Sequence, residues 1–192
     1  MVNIHFLNFV SFPKVRYFTL QHILLVIVII ITTTILGCSA VHTKNKKPRP
    51  SHTLFNHGNE NFNLGKYDTA VQKYSKSIAK NPKFVEAYTN RGLAYVKMEK
   101  YDLAIEDFSK ALNIDPMYSI AYNNRGTVDD KQKKYVLAIK DYSKALEINP
   151  EYAEAYSNRG VSYDNQQKFD SAIADYSQAI RLDSDYAIPY NN

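Results

Sequence analysis

The chain has 192 residues, 45% hydrophobic and 22% charged, with 16 Tyr, no Trp and a single Cys, which leaves room for one domain of ~100–150 residues and a tail. This is the composition neither of a disordered chain nor of a collagen-like one, and one Cys can close no internal disulfide and build no Cys-based zinc cluster. The formal charge of +5 is unevenly spread: six of the 24 basic residues and none of the 19 acidic ones lie in residues 1–50, so the remainder is close to neutral and nucleic-acid binding loses its main support.

The first element is apolar. Leu20 to Leu36 reads LQHILLVIVIIITTTIL, with a charge-free core from Ile23 to Ile31 and with Lys14 and Arg16 ahead of it. A basic region, a short apolar run and then small residues make a secretory signal, and the run is short for a spanning helix of ~20 apolar residues. Ile35-Leu36-Gly37-Cys38-Ser39 resembles the lipobox of bacterial lipoproteins. That resemblance implies a signal peptide over residues 1–37, lipidation of Cys38 and a place in the cell envelope. Ser39 in the position after the Cys implies the outer membrane where the organism has one. The same residues also fit an uncleaved anchor with Cys38 passive at its end. Residues 40–51, AVHTKNKKPRPS, combine Pro, Lys and Arg without apolar periodicity, so 38–51 is expected to be a lipidated Cys and a solvated basic tether.

Everything after the tether repeats. Asn90-Arg91-Gly92, Asn124-Arg125-Gly126 and Asn158-Arg159-Gly160 recur at intervals of 34 residues, as do Pro82, Pro116 and Pro150. Ala70, Ala104, Ala138 and Ala172 keep the same register, and so do Tyr74, Phe108, Tyr142 and Tyr176. A 34-residue period with aromatics, small residues and a closing Pro in this order resembles the tetratricopeptide repeat (TPR). The resemblance implies an all-α fold, a right-handed superhelical solenoid of antiparallel helix hairpins. Its register gives four repeats over 52–186, at 51–84, 85–118, 119–152 and 153–186, and the start of a truncated fifth at 187–192.

Within a repeat the apolar residues fall at helical spacing in two runs, such as Tyr88, Tyr95 and Val96, then Ala104, Ile105, Phe108, Ala111 and Leu112. Lys100-Tyr101-Asp102 reads as the turn between them, with Asp102 placed to cap the second helix. Asn113-Ile114-Asp115-Pro116 reads as its end, because a residue before Pro is driven out of the α region. A lone hairpin cannot bury its apolar face, so the hairpins must stack. Several departures stand out: Asp129 where Tyr95 and Tyr163 stand, the polar run Asp129 to Lys134, expected to make the third hairpin the loosest, and Ser184 in place of the fourth Pro. In the last repeat Tyr163, Ala172 and Tyr176 are expected to be partly exposed and to favour self-association.

No constellation for catalysis is legible, and neither a cofactor nor a metal is expected. The six Gly fall at Gly37, Gly65 and the repeat sites Gly58, Gly92, Gly126 and Gly160, so there is no phosphate loop. His52 and His57 do not share a helix face and read as solvated, and the neighbours Glu106-Asp107 and Asp129-Asp130 point to different sides of a helix. What remains is a binding surface. In TPR proteins the first helix of each hairpin lines a concave groove, and here that position carries Asn56, Asn90, Asn124 and Asn158, one repeat apart. A row of Asn can pair with the C=O and N–H of an extended peptide without reading its sequence; Asn is also frequent at this position in the family, so both roles stay open. Only Asn59 and Asn90 match the clamp with which some TPR proteins hold a C-terminal carboxylate, since Phe55, Ile120 and Asn124 stand in place of its cations. The expected function is therefore a non-catalytic, membrane-tethered protein-interaction module for a protein or peptide partner. The alternatives are an assembly component of a pilus, secretion or outer-membrane complex, and the regulatory arm of a longer enzyme.

Overall fold

A computed structural model describes residues 49–183. The signal region, Cys38, most of the tether, Ser184 and the start of a fifth repeat at 187–192 lie outside the described residues. Among the described residues there are eight α-helices and no strand: α1 (Pro50–Asn63), α2 (Tyr67–Lys80), α3 (Val85–Lys97), α4 (Tyr101–Ile114), α5 (Ser119–Lys131), α6 (Tyr135–Ile148), α7 (Ala153–Asn165) and α8 (Phe169–Leu182). No helix among them is long and apolar enough to cross a membrane.

The helices pair in chain order as α1–α2, α3–α4, α5–α6 and α7–α8, and each pair packs on the next. Neighbouring first helices (α1, α3, α5, α7) also touch one another, whereas neighbouring second helices do not. The first helices therefore lie on the inside of the curve and the second helices on the outside. This is the solenoid that the period implies.

Each hairpin closes over one ring. Tyr74, Phe108 and Tyr142 are at most 1% exposed, and burying a side chain of that size contributes roughly 1.5–3 kcal/mol. Ala104, Phe108 and Val128 form one cluster with Leu93, Tyr95 and Ile105 packed against it, and Ala111, Leu112 and Ala121 form the next. The rings come this close because the first helix has no side chain opposite them: a Cβ on Gly92 would lie 2.7 Å from the Phe108 ring, and one on Gly126 2.9 Å from Tyr142.

The second helices end where the prolines require. Asn81, Asp115 and Asn149, just before Pro82, Pro116 and Pro150, take extended backbone, and their Oδ1 atoms accept from the backbone N–H groups of Lys83, Met117 and Glu151 at 3.3, 2.9 and 3.2 Å. Asp183 at the end of α8 is extended as well, although Ser184 rather than Pro follows it.

Three expectations are corrected. Helix α1 begins at Pro50, inside the segment read as tether; Pro fits the first turn, and the Ser51 carbonyl accepts from Ser77 Oγ at 2.7 Å. Asp102 does not cap α4: Lys100 is the N-cap and makes no side-chain cap bond, and Asp102 stands in the first helical turn, where its charge meets the helix dipole. His52 is half-buried, its ring 4.6 Å from that of Phe84. Helices α5 and α6 of the third hairpin have 13 and 14 residues, and Asp129 is 7% exposed.

Candidate peptide-binding groove

The concave wall is the inner face of α1, α3, α5 and α7. The four Asn of the predicted row sit there in unequal states. Asn56 is exposed; Asn90, Asn124 and Asn158 are half-buried. Asn90 Nδ2 donates to Asn59 Oδ1 on the preceding first helix at 2.9 Å, and Asn158 Nδ2 donates to Asn123 Oδ1 at 3.1 Å. Asn123, fully buried, in turn donates to Glu154 Oε1 at 3.3 Å. Two members of the row therefore tie neighbouring first helices together, while the side chains of Asn56 and Asn124 hold no hydrogen bond among the described residues.

Asn59 is the better-connected residue of the groove. Its Oδ1 also accepts from the Tyr74 hydroxyl at 2.8 Å. Burial pushes the Tyr74 phenol up to about 12, against a smaller opposite pull from Asn90, so it remains a donor at any physiological pH. Asn59, Tyr74 and Asn90, with Phe62, Asn63 and Leu93, line a cavity of about 310 Å³. No lining side chain carries a charge, which suits an uncharged segment.

The position of Asn59 carries Leu93, Thr127 and Val161 in later repeats, and in the first three repeats its chemistry follows the ring it meets. Tyr74 donates to Asn59, Tyr142 donates to Thr127 Oγ1 at 3.3 Å, and Phe108, with no hydroxyl, packs with Leu93. The fourth repeat departs from this pairing, with Val161 standing 15 residues before Tyr176.

The Arg of the Asn-Arg-Gly triplet points away from the groove. Arg91 binds Asp107 through Nε and Nη2, both at 2.7 Å, and Ser75 Oγ of the preceding repeat through Nη1 at 2.8 Å. Arg125 repeats this with Asp141 and Ser109, and Arg159 with Asp175 and Ser143. Each guanidinium also lies 5.6–5.7 Å from the ring of Tyr88, Tyr122 or Tyr156 one turn earlier. These side chains join repeat to repeat and are not free for a ligand. Among the described residues no group of three or more His, Cys, Asp or Glu is placed to hold a metal ion.

The family model described as Tetratricopeptide repeat matches residues 85–118 and 153–186, and that described as TPR repeat matches 58–99 and 131–167. No curated protein matches the chain. Among solved structures, the crystal structure of MamA is 24% identical with a TM-score of 0.66, covering 73% of this chain and 82% of its own. MamA 41-end from Desulfovibrio magneticus RS-1 is 20% identical with a TM-score of 0.64, over 74% of this chain and 81% of its own. The first TPR of Spaghetti (RPAP3) bound to HSP90 peptide SRMEEVD is 31% identical with a TM-score of 0.55, over 65% of this chain and 94% of its own. The hairpins of this chain are tetratricopeptide repeats.

Proposed function

We propose that this is a non-catalytic protein-interaction module whose concave groove holds an extended, uncharged segment of a protein partner by its backbone, and that Cys38 tethers the module to a membrane of the cell envelope. The observation that carries the groove reading is the Asn59–Asn90 pair over the cavity beside Tyr74. Their mutual bond uses the Asn59 carbonyl and the Asn90 amide. It leaves the Asn59 amide and the Asn90 carbonyl for a peptide C=O and N–H. The similar TPR of RPAP3 binds a peptide, which supports a peptide as ligand here. The acidic SRMEEVD sequence is a poor guide to its chemistry, because Phe55, Ile120 and Asn124 supply no cations.

The test takes the partner captured by the full chain and measures its affinity for two mutant sets. Changing Asn90, Asn124 and Asn158 together to Ala should weaken binding at least ~10-fold, at ~0.5–1.5 kcal/mol per hydrogen bond and ~1.4 kcal/mol per decade. Changing Lys110, Lys144 and Gln178 on the second helices should leave it intact. The reverse pattern, in chains that keep their helicity by circular dichroism, rejects the groove and favours lateral docking into an assembly. The tether has its own test: Cys38→Ala should abolish labelling by a fatty-acid precursor.

Self-association through the last repeat is a second reading, and a specific observation favours it. Ala172 is only 2% exposed and Tyr163 and Tyr176 are half-buried, contrary to the expectation for Ala172, but Phe169, Ile173 and Ile180 on α8 are 58%, 55% and 44% exposed.

A further inference from the structure

The apolar surface of α8 is a stripe with one charged flank. At ~100° per residue, Phe169, Ile173 and Ile180 fall within ~40° of one another around the helix, and Asp170 and Arg181 lie ~20° apart beside them. The other flank carries Ala172 and Ala179, both buried. In α6 the same stripe, Tyr135, Ile139 and Leu146, is half-buried or buried, because the hairpin that follows covers it. On α8 all three apolar residues are exposed. So are Asp170 and Arg181, which form no ion pair among the described residues. Ser177, between the stripe and the charges, donates its hydroxyl to the Ile173 carbonyl at 2.7 Å, so covering it strands no donor.

The first hairpin offers a different outer face. Ala94 and Val128 are buried, Ala94 against Ala70 and Tyr74 of the hairpin before. Glu60, exposed on α1, stands in their register. A head-to-tail contact between copies would drive Glu60 among Ala172 and Tyr176, which costs the burial of an unpaired charge.

We infer that the outer face of α8 docks on the same face of a second copy of this chain, the two α8 helices lying antiparallel about a two-fold axis with Asp170 of each copy paired to Arg181 of the other. This rests on the self-association reading above and adds the geometry of the contact. Two helices packed antiparallel about a two-fold axis bring like flanks together, whereas parallel packing brings opposite flanks together. Asp170 and Arg181 share a flank and stand in the first and last turns of α8. Only the antiparallel arrangement therefore sets each carboxylate against a guanidinium, once on either side of the axis. The helix dipoles then also meet with opposite sign. Such a contact uses the same patch on both copies and closes at two.

The test is sedimentation equilibrium of the full chain, in dodecyl maltoside to shield the apolar run of residues 20–36, beside Asp170→Arg, Arg181→Asp and an equimolar mixture of these two. The parent should reach a dimer and grow no further. Each mutant alone sets like charges together at two places and should associate at least ~10-fold more weakly. The mixture should recover the parent's strength, because each new charge then meets its opposite in the other chain. Both positions are exposed, so helicity by circular dichroism should be unchanged. Undiminished association in both single mutants overturns the inference, as does a mixture no stronger than either mutant alone, or growth beyond a dimer. Ile180→Lys tells these failures from failure of the reading beneath: if it weakens the parent's association while the mixture shows no recovery, α8 remains the surface and only the antiparallel geometry falls. A parent chain that stays monomeric at every concentration overturns both together and leaves the face to another protein or another segment of this chain.

Discussion

Arg91 holds Asp107 at 2.7 Å through each of two parallel hydrogen bonds while its third nitrogen reaches Ser75 on the hairpin before. The Asp107 side chain is 3% exposed and that of Arg91 15%. Removing one partner of such a pair leaves a buried charge alone, at a cost of about 3–5 kcal/mol. Arg91→Ala should therefore lower the unfolding free energy by that order in a denaturant titration. Lys110→Ala, which breaks the exposed pair with Glu106, should change it by less than ~1 kcal/mol. Equal effects would show that the buried pairs do not join the repeats.

Gly92 faces the Phe108 ring where no Cβ fits. Gly92→Ala should cost ~1–3 kcal/mol by overpacking, even though Ala is the better helix former. Trimming the ring should relieve the clash, so Gly92→Ala with Phe108→Leu should be less destabilising than the sum of the two single changes, measured as a double-mutant cycle. Additive losses would mean that the two sites do not meet.

How much of this was legible in the sequence depends on whether a residue acts within its own period. The helices, the rings and the Gly opposite them recur every 34 residues, so they were visible as a pattern with a physical reason. The Arg91–Asp107 pair spans 16 residues and the Arg91–Ser75 bond crosses into another repeat, and no local spacing announces a contact between antiparallel helices. A trace existed all the same: the first repeat carries His57 and Lys73 at the positions of Arg91 and Asp107, so both partners are lost together. The Asn row was visible, but its pairing with Asn59 and Asn123 was not, because those two occupy different positions of the repeat.

The turn within each hairpin contains a left-handed residue: Gly65 with φ 71°, then Glu99 at 57°, Lys133 at 60° and Gln167 at 60°. In the second turn the N–H of Glu99 bonds the Val96 carbonyl at 3.0 Å and that of Lys100 the Tyr95 carbonyl at 2.9 Å, the closure of a helix end that Gly favours. A side chain at positive φ costs ~1–2 kcal/mol, partly offset by the larger entropy a Gly loses on folding. Lys133→Gly should accordingly raise the melting temperature and Gly65→Ala should lower it. The opposite signs would contradict a left-handed turn.

Asp129 gives the fold a pH dependence of a defined sign. Its pKa is raised, by burial first and by Asp141 second, so the folded state binds more protons than the unfolded one and stability falls as pH rises through the carboxylate range. Asn at this position has nothing to ionise. Asp129→Asn should be more stable than the parent chain near neutral pH, and the difference should vanish below the ordinary carboxylate range, where Asp129 is protonated in both states. A difference that is unchanged at acid pH would assign the gain to packing.

The final prediction concerns the outer face of α8. Ile180 stands in the register of Ile78, Leu112 and Leu146. Those three are 9%, 7% and 6% exposed, while Ile180 is 44% exposed. Leu146 owes its burial to the next hairpin, since it clusters with Ala145 and Ala155 and with Tyr156 against them. With Phe169 and Ile173 also open on α8, an apolar surface with this helix register invites association. Ile180→Lys should shift a concentration series in analytical ultracentrifugation towards the monomer. Leu103→Lys, at a residue 42% exposed on α4, should leave the series unchanged and so separates this face from apolar exposure in general. A parent chain that stays monomeric across the series would remove α8 as a self-association surface.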